Sequence, residues 1–246
     1  MKRLFAFLLI AAGGTVLSGC ASDQTPAQAQ EAQAANDPYE ATNRQIFDFD
    51  QKFDRALLLP TAKAYNAVVP EPAREGVHNF LTNLNLPVVF ANDVLQGDAD
   101  RASDTLGRFT LNSTFGIAGL LDLATDAGLP YHENDFGLTL ANYGVGEGPY
   151  IVLPFLGPDP PRDAAGQVAD IFLDPTFYIH IREHFWWGAG RYTLSVIDVR
   201  SRNIDSLEGI ERSSVDLYAS VRSLYRQHRN ALAHGGKPDV QNLPDL

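Results

Sequence analysis

The sequence predicts a single, mainly α-helical domain, and three observations carry that prediction. Apolar residues recur at three- and four-residue steps in segment after segment, the spacing of one helix face. Helix start and stop signals bracket those segments. No alternating apolar–polar run is long enough for a useful strand, and no internal repeat is present.

The chain opens with a basic pair, Lys2 and Arg3, followed by an uncharged apolar run from Leu4 to Leu17 and then "LSGC" ending at Cys20. This is the pattern of a secretory signal, residues 1–19. The run is shorter than the ~20 apolar residues a comfortable membrane span needs. The tetrad resembles the bacterial lipobox, in which the cysteine is diacylated and becomes the first residue after cleavage. Cys20 is the only cysteine, so there is no internal disulfide and the residue is a lipidation candidate. Several acyl chains on one residue give stable membrane attachment. Ala21 follows it rather than Asp, which by resemblance to enterobacterial sorting favours the outer membrane.

Residues 20–36 contain no large apolar side chain and read as a flexible tether. The folded part starts at "DPYE", with Asp37 expected as N-cap, Pro38 at the first helical position and Glu40 completing a capping box. Ile46, Phe49, Phe53 and Leu57 then mark an amphipathic helix that Pro60 is expected to stop. "PEPAREG" begins a second helix carrying Ala73, Val77, Phe80 and Leu84, and Pro87 is expected to open a short third one ending at a left-handed Gly97. Ala102, Leu106 and Phe109 give a helix over 98–112. Further helices are expected from Asp163, over "TFYIHIREHFWW", and in one long stretch from Ile204 to Ala233 ended by Gly235 and Gly236. Residues 237–246 read as a disordered tail.

Between these lies "FTLNSTFGIAGLL", Phe109 to Leu121, with no charge in thirteen residues. As a helix it reaches roughly 20 Å, short of the ~30 Å hydrocarbon thickness. It is compatible with entry into one leaflet, and equally with a buried core hairpin. Gly116 and Gly119 allow close approach of neighbouring helices.

The net charge of −11 and the pI near 4.9 argue against nucleic-acid binding. "NYGVGEGPYIVLP", Asn142 to Pro154, is not a phosphate loop, because it lacks the Gly-Lys-Ser/Thr ending and the dinucleotide spacing. "HIREH" matches the His-x-x-Glu-His pattern of inverted zinc peptidases, with His180 and His184 as ligands, Glu183 as base, and Glu208 or Glu211 as third ligand. The surrounding Phe177, Trp186 and Trp187 also suit a membrane interface. No Gly-x-Ser-x-Gly elbow exists. Ser113 reads as a packing or polar lining residue, and Arg108, Asp122 and Arg162 as salt-bridge formers.

Five blocks in order, "DPYEATNRQIF", "VPEPAREGVHNFLTNL", "NDVLQGD", "RFTLNSTFGIAGLLDLA" and "DFGLTLANYGVGEGPYIVLPFLGPDPPRD", resemble the MlaA (VacJ) lipoproteins over residues 37–236. Departures from the family pattern are local: Leu138, Ala141, Tyr143 and Asp159-Pro160, the last where Ser-Thr is usual. The resemblance implies a helical ring seated in the periplasmic leaflet of the outer membrane, with a central amphipathic channel. It implies removal of stray outer-leaflet phospholipid and its transfer to a periplasmic lipid carrier, MlaC, in association with trimeric porins, without catalysis or cofactor. Glycines 144, 146 and 148, with Tyr143, Pro149, Asn112 and Ser113, are the expected lining of the lipid path; Tyr150 to Leu156 is expected against lipid or a neighbouring helix. Two alternatives are a zinc-dependent hydrolase using His180, Glu183 and His184, and a non-conducting lipoprotein that braces a porin.

Overall fold

The computed structural model of the protein describes residues 36–178 and 184–235. The signal segment, Cys20, nearly all of the tether, the tail, His180 and Glu183 lie outside the described residues. The described chain is mainly helical: α1 Glu40–Phe53, a π-helical turn Asp54–Leu58, α2 Leu59–Val68, α3 Glu71–Gln96, α4 Ala99–Thr114, α5 Leu123–Asp126 and α6 Phe136–Asn142. Two short antiparallel strands follow, β1 Val152–Leu153 and β2 Gly157–Pro158, and then α7 Pro161–Leu173, a 3-10 turn Pro175–Phe177, α8 His184–Arg202, α9 Ile204–Ser213 and α10 Leu217–Ala233. Among the described residues, no helix is long and apolar enough to cross a membrane.

Several local expectations are corrected. Asp37 does not cap α1, which begins at Glu40 with no side-chain cap. Its carboxylate is instead fully buried and accepts hydrogen bonds from Asn43 Nδ2 at 2.7 Å, Tyr218 Oη and Arg222 Nη1 at 2.6 Å. Pro60 does not stop the first helical run. It sits in the first turn of α2, where its missing N–H is tolerated, and the preceding π turn carries the chain through. Pro87 likewise opens no new helix but lies inside the 26-residue α3. Gly97 does close that helix in the left-handed conformation, φ 73°, with N–H groups returning to Asp93 and Val94.

The stretch from Ile204 to Ala233 is two helices, because Ser214 is extended and Asp216 caps α10 by accepting from Ala219 N. Asp216 also takes a two-pronged bond from Arg44, which explains why the chain turns there. Phe109 to Leu121 is neither one helix nor a buried hairpin. α4 ends at Thr114, and the following turn leaves Phe115 and Ile117 largely exposed.

The small apolar core is Phe47, Tyr150, Val152 and Tyr218, with Phe47 and Tyr218 meeting edge to face at 5.5 Å. Tyr150 and Val152 are therefore interior residues; within the run expected against lipid, Pro154, Phe155 and Leu156 are the exposed ones. β1 packs on α1, where Asn43 donates to Tyr150 O and accepts from Val152 N. Elsewhere α6 crosses α7 so closely that a Cβ on Gly166 would lie 2.3 Å from Gly137 N, so this crossing requires glycine.

Removing the Asp37 carboxylate strands Arg222 and the Tyr218 hydroxyl in the interior. Asp37→Ala is expected to cost about 3–5 kcal/mol, read as a lowered urea midpoint by circular dichroism.

Candidate functional site

Several helices bury polar side chains alongside apolar ones such as Leu86, Val88 and Val89 of α3. In α4 the residues at 102, 105, 108 and 112 form one face, and Ala102, Thr105, Arg108 and Asn112 are all buried, whereas Leu106 is half exposed. In α3 the buried set includes Asn83, Asn92 and Asp93. In α1 it is Asn43 and Phe47, while Phe49 and Leu57 of the expected apolar face are exposed. Exposed aromatic and aliphatic side chains recur along the surface, among them Phe115, Tyr143, Phe155, Phe172 and Trp186.

The interior polar groups are joined in networks. Asp93 accepts from Thr105 Oγ1, Asn134 Nδ2 and the His132 ring at 2.7–2.8 Å. Burial pushes its carboxyl upward, but these bonds outweigh it and hold the group below the usual range. Arg229 of α10 spans Asp163 and Asp135, and Tyr225 adds a bond to Asp163. The salt-bridge reading of Arg108 and Asp122 holds: Arg108 Nη2 meets both carboxylate oxygens at 2.7–2.9 Å. Burial opposes ionisation of Asp122, yet bonds from Thr125, Asn112 and Arg108 bring it down to about 2. Arg162 pairs with Asp163.

The residues expected along a lipid path fall in two places. Asn112 donates to Asp122 and accepts from Ala124 N, tying the end of α4 to α5. Ser113 accepts from Asn83 Nδ2 at 3.0 Å. A cavity of about 140 Å³ lies here, lined by residues of α3 and α4 with Asp122 and Tyr131. His78, Asn79, Thr82 and Asn83 belong to that lining and were not singled out in the sequence. Their signal was the recurrence of Asn at helical spacing, at 79 and 83.

The glycine segment lies against the other end of α3 and against α10. Tyr143 is 70 % exposed, and its hydroxyl donates to Leu95 O. Gly144 and Gly148 have positive φ, 85° and 79°, but Gly146 does not, and a Cβ at 146 would meet nothing within 4 Å. Pro149 is half-buried beside Tyr150. The segment is fastened at Glu147, which pairs with Arg226, and at Gly148 O, which accepts from Asn36. Of the zinc candidates, His184 begins α8, while Glu208 pairs with Lys63 and Glu211 with Arg55.

A helical protein with a bonded polar interior and an apolar surface belongs to the class that works against lipid rather than in bulk water. Residues 35–232 match the MlaA lipoprotein family, and this chain belongs to that family. It is 37 % identical to the intermembrane phospholipid transport system lipoprotein MlaA of Escherichia coli K12, over 96 % of this chain and 92 % of that one. The protein of the same description from Haemophilus influenzae is 32 % identical over 93 % and 91 %. A solved structure reported under "Structural basis for maintenance of bacterial outer membrane lipid asymmetry" superposes with a TM-score of 0.73. It is 39 % identical to this chain and covers 80 % of it and 98 % of its own length.

Asp159 is buried, and its Oδ1 has no hydrogen-bond partner. Burial, reinforced by the nearby Asp163 charge, pushes its carboxyl up to about 6. A raised pKa means the folded state holds this proton more tightly than the unfolded chain, so Asp159 subtracts stability above pH 6 and nothing below about pH 4. Asp159→Asn is expected to stabilise the protein by about 2–3 kcal/mol at pH 7.5. The gain should fade as pH drops from 6 to 4, as followed by denaturant melts across that range.

Proposed function

We propose that this protein is an outer-membrane lipoprotein of an intermembrane phospholipid transport system. It provides an amphipathic path that removes misplaced phospholipid from the outer leaflet and passes it to a periplasmic MlaC-like carrier, so maintaining lipid asymmetry. The observation that carries this reading is the inverted distribution of side chains, with Asn83, Asp93, Arg108 and Asn112 inside and Phe115, Ile117 and Phe155 outside. A phospholipid has the same two-sided character and needs a polar way through protein beside apolar surface for its tails. The names of the Escherichia coli and Haemophilus influenzae relatives support the same assignment.

In this reading residues 1–19 are the signal peptide, 20–36 the tether, 37–236 the helical domain and 237–246 the tail. Diacylated Cys20 holds the chain at the membrane, and the helices sit as a ring in the periplasmic leaflet beside a trimeric porin. Asn112, Ser113, Tyr143, Gly144, Gly146, Gly148 and Pro149 border the lipid path. The reading assigns no catalytic step, cofactor or metal to the chain.

A deletion strain scored for surface-exposed phospholipid and detergent sensitivity tests the proposal, and the wild-type gene is expected to restore the barrier. Cys20→Ala is expected to leave an unprocessed or soluble periplasmic species; that variant firmly in the outer membrane with normal processing sinks the lipoprotein assignment. Gly146→Leu separates blockage from misfolding, because 146 has open space and an ordinary φ. It is expected to be abundant and correctly located yet to fail in restoring the barrier. Full complementation at normal abundance would show the loop to be only a turn.

A further inference from the structure

We propose that the cavity between the β1–β2 turn and α9 is a seat for one unbranched acyl chain, with α9 as its cover. The choice of an acyl chain over other apolar ligands rests on the lipid-transport reading. None of the residues proposed to border the transport path lines this cavity, so the seat is a second site.

The cavity has a volume of about 370 Å³, which falls among small-ligand sites. Leu58, Leu59, Leu207, Ile210, Leu217 and Val221 supply most of its apolar wall. None of the six is fully buried, so an apolar occupant gains by covering them. The cations of the wall are already engaged. Arg200 meets both carboxylate oxygens of Asp54, and Arg55 pairs with Glu211. An anionic head gains little at such a wall. A slender apolar chain fits it, and a compact ion does not.

One side of the seat is rigid. Phe155, in the turn between the strands, has φ 66°, a costly conformation for a residue other than glycine. Asp50 accepts from its N–H, and its ring meets Phe49 and Phe53 edge to face at 5.3 and 5.0 Å. The opposite side is fastened more lightly. Leu207, Glu208, Ile210 and Glu211 share one face of α9, so the face that lines the cavity also carries two acids. Those acids tie α9 down through Lys63–Glu208 and Arg55–Glu211, exposed ion pairs of a kind that is weak and screened by salt. No residue of α9 takes part in the buried bonds from α10 to Asp37 and Asp163. The cover can therefore lift while those bonds stay closed.

Photocrosslinking of the full chain in nanodiscs of phosphatidylethanolamine and phosphatidylglycerol tests the seat. One probe is phosphatidylethanolamine with a diazirine at the end of one chain; the other is the corresponding free fatty acid. Adducts are expected on Leu58, Leu59, Leu217 or Val221, mapped by mass spectrometry. Wall adducts from the phospholipid probe identify a chain still esterified, and adducts from the acid alone identify a free one. Absence of wall adducts with both probes overturns the seat. Ile210→Trp narrows the cavity, removes none of the side-chain bonds described and lies outside the core cluster. It is expected to lower wall adducts at least tenfold and to leave adducts on the exposed Phe115 unchanged. Undiminished wall adducts in that variant mean ordinary bilayer contact and overturn the seat. The parent adduct map decides the matter even where Ile210→Trp lowers the Tm. Glu208→Gln combined with Glu211→Gln is expected to raise wall adducts at least threefold; an unchanged yield overturns the covering role of α9. A parent chain that restores the barrier in the deletion strain but gives no wall adducts removes the seat alone, whereas failure to restore the barrier removes the transport reading.

Discussion

A carboxylate taken out of water must find its partners inside the protein, and most of this fold is arranged around that requirement. α10 answers it on one face: Tyr218, Arg222, Tyr225 and Arg229 follow at steps of four, three and four. Tyr218 and Arg222 reach Asp37 at the start of the described chain, and Tyr225 and Arg229 reach Asp163 of α7. One helix thus closes the interior against two segments far away in sequence. Arg229 extends the same clamp to Asp135, at the start of α6. Burial pushes the Asp163 carboxyl upward, but its bonds from Arg229, Arg162 and Tyr225 outweigh that and hold it below the usual range.

Organisation by polar bonds shifts the source of stability. In an ordinary soluble domain the apolar faces of helices meet inside, and the hydrophobic effect supplies most of the driving force. Here the buried apolar cluster is small, and many aromatic and aliphatic side chains face outward. The interior gains specificity from direction instead. Each bond has a required geometry, and a half-satisfied polar network is worse than none. That explains the close glycine crossing of α6 and α7, which lets the Asp163–Arg229–Asp135 clamp form over it. The chain with this outward apolar surface belongs to the MlaA lipoprotein family.

The same constraint makes the exceptions informative. Among the described residues a few buried polar atoms have no partner, among them Asp159 Oδ1, Tyr150 Oη, Asn83 Oδ1 and Arg108 Nε. At Asp159 the cost falls on stability, since burial raises its carboxyl. Three successive left-handed residues, Ile117, Ala118 and Gly119, follow the end of α4.

The sequence by itself determined the helical class, several helix starts, the left-handed end at Gly97, and the family through five ordered blocks. These are local properties: a cap, a positive φ or a run of motif residues is complete within a few positions. It also determined the amphipathic faces, but not which side of each face turns inward. Periodicity gives a direction around the helix axis without saying whether water, protein or lipid lies there: Phe49 and Leu57 of the amphipathic pattern are exposed and Asn43 is buried. Only the tertiary structure decided that Asp37 is a buried partner of Arg222 rather than a cap, since the choice depends on a residue 185 positions away. The passage of helices through Pro60 and Pro87, and the meeting of α3, α4 and the 115–121 turn around one cavity, were decided in the same way, by contacts between segments that no local pattern encodes.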